Sequence, residues 1–207
     1  MEKSITFKEL SQRWLSVSSL GKTYTYQQNL QSYINHLNNG IGECKVTDVK
    51  PAHIDEIIRR LYIENPNTKK PTSKKVLKNI VDCATRIFDY AIENELIYKN
   101  PARNKKKVIP KNAPTKIVGA ITPEQQQLVI DTEHRAKIAA VIMMFMGLRT
   151  GEVLALEWGD IDLVNYKLSV NKRTQRISSN KYIVTEGTKN GKCRYVCLLY
   201  TSPSPRD

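Results

Sequence analysis

The chain has 207 residues, with 33 Lys and Arg against 20 Asp and Glu, a formal charge of +13 and a pI near 9.6. Such a balance favours a polyanionic partner, above all nucleic acid, and the length suits one large or two small domains with a real core. No apolar run is long enough to span a bilayer, and no signal-peptide core, basic amphipathic membrane helix or lipidation signal is found, so a cytoplasmic protein without a membrane partner is expected.

Cys44, Cys83, Cys193 and Cys197 are scattered. Only the last two are close, and they lack a second pair or a nearby His, so reduced thiols and no metal site are expected.

The charge is uneven: residues 1–118 carry a net +10 and residues 119–207 a net +3. Between the halves, Lys99–Lys116 has no acidic residue and three prolines, which predicts a basic, extended linker with little core of its own. A solvated surface loop is the alternative, but one this basic would still lie close to a polyanion.

The first part reads as four amphipathic helices. Thr6 with Glu9 forms a capping box ahead of the stripe Phe7, Leu10, Trp14 and Leu15. A second helix starts at Thr23, with Tyr26, Leu30, Tyr33, Ile34 and Leu37 inward and Gly40 as its stop. Pro51 opens a third, followed by Ile54, Ile57, Ile58 and Leu61. The fourth starts at Thr72 or Ser73 and carries Val76, Ile80, Ala84, Ile87, Phe88, Ala91 and Ile92, with Asn100-Pro101 closing the unit. Lys69, Lys70, Lys74, Lys75, Lys78 and Arg86 are expected outside. A lysine-rich face is ordinarily just solvated, but its clustering at a helix N-terminus beside Thr72 and Ser73 favours phosphate contacts.

In the second part Thr122-Pro123-Glu124-Gln125 opens a helix that should run to about His134. The near-uniformly apolar helix that follows, ending at Met146, is predicted to be buried. Alternation around Leu168 and Val170, around Tyr182 and Val184, and from Tyr195 predicts three antiparallel strands. Thr188–Lys192 should form a tight turn between the last two.

The most informative stretch is Met146–Leu163, MGLRTGEVLALEWGDIDL. Arg149 follows the apolar run Ile138–Phe145, and a guanidinium in such surroundings needs a carboxylate or a bound anion. Glu152 is within reach on the same helical face, and the arginine fork matches a phosphate. Leu154, Leu156, Trp158 and Ile161 are expected in the core.

The run GLRTGEVLALEWGDIDL resembles the first arginine box of the tyrosine recombinases, the phage-integrase family of site-specific DNA recombinases. Ala84–Ala102 (ATRIFDYAIENELIYKNPA) resembles the last helix and exit of that family's core-binding domain. Thr188–Val196 (TKNGKCRYV) resembles the hairpin that bears its active-site lysine. Three matches in register across a basic two-domain chain make a specific signal.

The resemblance implies a mainly α fold with a small antiparallel β-sheet: a four-helix, SAM-like core-binding domain at 1–102, a basic linker at 103–118 and the N-terminal part of a catalytic domain at 119–196. It implies a recombinase or integrase of a mobile element or phage. Such enzymes cut and rejoin DNA through a 3′-phosphotyrosyl intermediate, with no metal or cofactor. Carried over residue by residue, Arg149 holds the scissile phosphate and Glu152 matches the acidic position that orients it, although an ordinary helix-surface charge is an equal reading of Glu152. Lys189 matches the lysine that protonates the leaving 5′ oxygen, with Lys192 as competitor because the hairpin register is open. Double-stranded DNA is the implied partner, with a homo-oligomer forming on it in the full-length protein. Tyr24, Thr25, Ser73, Lys74 and Lys78, together with Lys105, Lys106 and Lys107 of the linker, are the candidate duplex contacts.

The family's second arginine, its histidines and its nucleophilic tyrosine would all lie beyond the lysine hairpin. Asp207 is only 18 residues after Lys189, and Tyr200 is too early to serve. The expectation is therefore a truncated frame with a non-native tail at 197–207, inactive by itself. A non-catalytic DNA-binding regulator or excision accessory protein is the alternative.

Overall fold

The structure, a computed structural model, describes residues 5–116, 118–188 and 191–198. Lys189, Tyr200 and the tail from residue 199 lie outside them. The chain divides into two compact units, Met1–Val118 and Gly119–Asp207.

The first unit is built on α1 (Phe7–Ser18), α2 (Tyr24–Ile41), α3 (Pro51–Ile63) and α4 (Lys74–Glu93). The capping box at Thr6 forms as the sequence predicts, the Glu9 amide donating to the Thr6 hydroxyl and the Thr6 amide to the Glu9 carboxylate. Thr23 and Ser73 are the N-caps of α2 and α4. The stripes converge on one core in which Phe7 and Phe88 stack at 5.3 Å with tilted rings. Along α4 the buried face is Leu77, Ile80, Val81, Cys83, Ala84, Ile87, Phe88 and Ala91, while Val76 only packs against its edge.

Gly40 does not end α2, which runs on to Ile41 and is capped by Gly42. Its role is close approach: a β-carbon at Gly40 would meet Ile57 Cγ1 of α3 at 2.6 Å.

The basic segment after α4 also departs from expectation. It does contribute core, because Ala102, Ile109 and Ala113 are buried in the first unit. Lys105–Val108 forms a short 3₁₀ turn. Asn100 fastens its start, donating to Thr85 O and Asp89 Oδ1 and accepting from the Ala102 amide, each at 2.8 Å. Lys74 fastens its end, through its amide to Pro114 O and its ammonium to Lys111 O. Three apolar side chains and a few anchored polar groups are enough to seat a sequence that composition alone marks as coil.

In the second unit α5 (Pro123–Asp131), α6 (Lys137–Met146) and α7 (Thr150–Val153) precede, among the described residues, five short strands. The Thr122–Gln125 capping box is present, but α5 stops before His134 because the backbone at Thr132 turns extended. The strands do not make a single sheet. β2 (Lys167–Val170) lies between β1 (Ile161–Asp162) and β5 (Arg194–Cys197), while β3 (Lys172–Arg176) and β4 (Tyr182–Glu186) form a separate ribbon, all pairings antiparallel. The turn before β5 therefore joins strands of different sheets. It is closed by Gly191 N donating to Thr188 O and by the Thr188 hydroxyl donating to Lys192 O.

Two burial expectations fail here. α6 has no fully buried residue among those described, with Ile138 and Phe145 well exposed. Leu154 and Trp158 are exposed too, whereas Leu156 and Ile161 pack on the buried cluster of Leu148, Leu168 and Val170. Apolar periodicity marks a face for burial; it does not supply the neighbour that covers it.

Candidate functional site

Gly147 ends α6 in the left-handed conformation, φ +65°, where a glycine has no steric penalty. The reversal sends Leu148 into the core and leaves Arg149 extended as the N-cap residue of α7. At the third position of that helix Glu152 turns back, accepting the Arg149 amide at 3.0 Å on Oε2 and the Arg149 guanidinium at 2.9 Å on Oε1. α7 sits against β3: the Thr174 hydroxyl donates to Gly151 O, and a β-carbon at Gly151 would come within 3.2 Å of Thr174 O.

A residue that the sequence did not single out completes the arrangement. Arg194, first residue of β5, donates from Nη1 to Glu152 Oε1 at 3.1 Å and from Nη2 to Oε2 at 2.7 Å. The Glu152 side chain is 2% exposed, against 35% for Arg194 and 56% for Arg149. The carboxyl is held down at about 2, first by the Arg194 hydrogen bonds and with help from the Arg149 amide and guanidinium, against the upward pull of burial. The same contact raises the Arg194 guanidinium.

One carboxylate between two guanidiniums leaves a net positive charge. It faces a pocket lined by Gly147, Arg149, Thr188, Lys192, Cys193 and Arg194. The guanidinium of Arg149 keeps most of its donors toward solvent there, a geometry suited to an oxyanion. Lys192 is in the lining, while Lys189 lies outside the described residues. Among the described residues no group of three His, Cys, Asp or Glu could hold a metal ion.

In the first unit the predicted contact residues divide. Thr25 and Lys78 are exposed, and Tyr24 and Ser73 are half-buried at the starts of α2 and α4. Lys74 is tied to the Lys111 carbonyl. Of the three consecutive lysines, Lys105 bridges Asp55 at 2.6 Å with its side chain 15% exposed, Lys106 pairs with Asp82, and Lys107 is exposed. Arg86 lies 5.0 Å over the Trp14 ring and donates to the Tyr26 hydroxyl, so it links α1, α2 and α4.

Residues 7–108 match the family model of the phage integrase central domain. A tyrosine recombinase XerC-like protein of Caldanaerobacter subterraneus subsp. tengcongensis is 26% identical over 184 residues, covering 85% of this chain and 46% of that protein. The ICEBs1 integrase of Bacillus subtilis is 25% identical over 193 residues, covering 91% and 50%. The chain thus spans about half the length of these curated relatives. Among solved structures, the Tn1549 transposon integrase in complex with a circular intermediate DNA superposes with a TM-score of 0.77 at 20% identity, over 94% of this chain and 62% of that one. A lambda integrase dimer bound to a COC′ core site gives 0.64 at 17% identity, over 96% and 53%. These superpositions match the mainly helical fold with its small antiparallel sheets.

Proposed function

The chain belongs to the tyrosine recombinases, with a phage integrase central domain at residues 7–108, and from that premise we propose that it binds duplex DNA and holds a backbone phosphate at Arg149. The observation that carries this reading is the half-exposed Arg149 guanidinium, oriented by a buried carboxylate at the mouth of a pocket that also presents Lys192 and Arg194. A preorganised cation of that kind is worth more to charge developing on a phosphate than a solvated one.

The chemistry proposed for the whole protein is strand transfer. A tyrosine oxygen attacks the phosphorus, the bond to the 5′ oxygen breaks, and that oxygen leaves with a proton. Arg149 neutralises the non-bridging oxygens, and Lys189 is proposed as the proton donor. The energy of the broken bond is retained in the phosphotyrosyl link, so rejoining needs no external energy source. One relative is named a tyrosine recombinase XerC-like protein and another an integrase, and the lambda integrase structures are a dimer on a core site and a tetramer bound to a Holliday junction. On that ground duplex DNA is the proposed partner, and a homo-oligomer on DNA the proposed working form.

Fluorescence anisotropy with a duplex of mixed sequence tests the binding: affinity should fall steeply with salt, and Arg149→Ala should weaken it further. No measurable affinity would refute DNA binding, and affinity indifferent to salt would refute binding through backbone phosphates. Incubation of a nicked suicide duplex with the chain extended by the sequence that follows it in its source tests the chemistry. A covalent adduct lost in Arg149→Ala supports strand transfer.

One observation favours a second reading, in which the first unit alone acts as a DNA-binding regulator. Its core draws on all four helices and the basic segment, while among the described residues the buried cluster of the second is Leu148, Leu168 and Val170. Binding with no adduct in any extended chain supports that reading.

A further inference from the structure

We infer that Arg194 is a positioning residue, whose fork on Glu152 fixes the direction in which Arg149 offers its guanidinium to a phosphate. The inference rests on the proposed reading of Arg149 as the phosphate holder. Each oxygen of Glu152 carries two donors: Oε1 takes the guanidinium of Arg149 and Nη1 of Arg194, and Oε2 takes the amide of Arg149 and Nη2 of Arg194. Four bonds converging from two elements remove the rotation left to a carboxylate that is held by one neighbour only. The anchor is firm, because Arg194 pairs across the sheet with Val170, which is 1% exposed.

Charge and exposure assign the two arginines different tasks. Both terminal nitrogens of Arg194 are engaged with Glu152, whereas Arg149 contributes one and is the more exposed of the two. Arg194 also prevents Glu152 from cancelling Arg149: a lone Glu–Arg pair is neutral, and the trio is positive. A lysine at position 194 would restore the charge but not the planar two-point grip.

The test is a titration of the full chain, ¹⁵N-labelled, with inorganic phosphate against chloride at matched ionic strength, reading the Arg149 side-chain resonance. Methyl signals of Leu168 and Val170 report whether each variant is folded. Arg194→Gln and Arg194→Lys should both weaken the phosphate response about tenfold or more, the worth of one charged hydrogen bond. Wild-type affinity in folded Arg194→Lys would overturn the positioning role in favour of simple charge. If Arg194→Gln does not hold the fold, Arg194→Lys alone decides. Arg149→Ala separates the two claims. Loss of phosphate binding in Arg149→Ala with normal binding in the Arg194 variants sinks this inference alone. Unchanged binding in Arg149→Ala, read from the neighbouring Gly147 amide, sinks the phosphate-site reading and this inference with it.

Discussion

The carboxylate of Glu152 accepts both the backbone amide and the guanidinium of Arg149, at 3.0 and 2.9 Å. The cap that starts α7 and the contact that aims the arginine are thus made by one side chain, and a change at Glu152 acts on fold and site together.

Acid should reveal that coupling. Glu152 is held at about 2, well below its ordinary 4.5, so its ionised form contributes stability that is complete above 4.5 and is lost as pH falls from 4.5 toward 2. Because the group is buried, the contribution is on the order of 3 kcal/mol. Urea midpoints measured from neutral pH down to about 2 should show Glu152→Gln least stable relative to wild type at neutral pH. The gap should close across that window, and a constant gap would show that the carboxylate charge is not what matters.

Gly40→Ala should destabilise the first unit although alanine is the better helix former. The helix preference returns up to about 1 kcal/mol. The clash with buried Ile57 costs about 1–3 kcal/mol. A net loss in denaturant midpoint is expected, and Ile57→Val in the same background should recover part of it.

Asn100→Ala should cost about 2 kcal/mol, since it removes three hydrogen bonds and leaves the Thr85 carbonyl and the Ala102 amide without that partner. The readout is faster limited proteolysis within residues 103–116, with the helical circular dichroism retained.

The lysines should separate into two kinds. Lys78→Gln and Lys107→Gln should each reduce the salt slope of duplex binding by about 1. Lys105→Gln should lower thermal stability and leave the slope nearly unchanged, because its ammonium is committed to Asp55. Equal slope changes for Lys105 and Lys107 would show that the Asp55 pair opens on DNA.

The helices of the first unit were legible because each carries its own evidence locally: a cap such as Thr6–Glu9, and an inward stripe such as Ile54, Ile57, Ile58 and Leu61. Arg149 and Glu152 were legible for the same reason, being three residues apart. Arg194 was not, since its contact with Glu152 spans 42 residues and requires the β2–β5 pairing. A basic residue directly before the apolar pair Tyr195 and Val196 was the one signal available, and it says nothing about a partner. The seating of Ile109 and Ala113 was hidden by the prolines and lysines around them, and Gly40 reads as a stop until Ile57 is seen against it.

The anchoring of the basic segment bears on how this protein's electrostatics would be read from a titration. Lys105, Lys106 and Lys107 are three adjacent positive charges in the sequence, yet two already have carboxylate counterions of the protein's own, Asp55 and Asp82. Salt ions condensed on a polyanion are released, with a gain in entropy, only by protein cations that are free to replace them. Among these three lysines the thermodynamic count is one, and their share of the binding slope would measure the fold as much as the DNA.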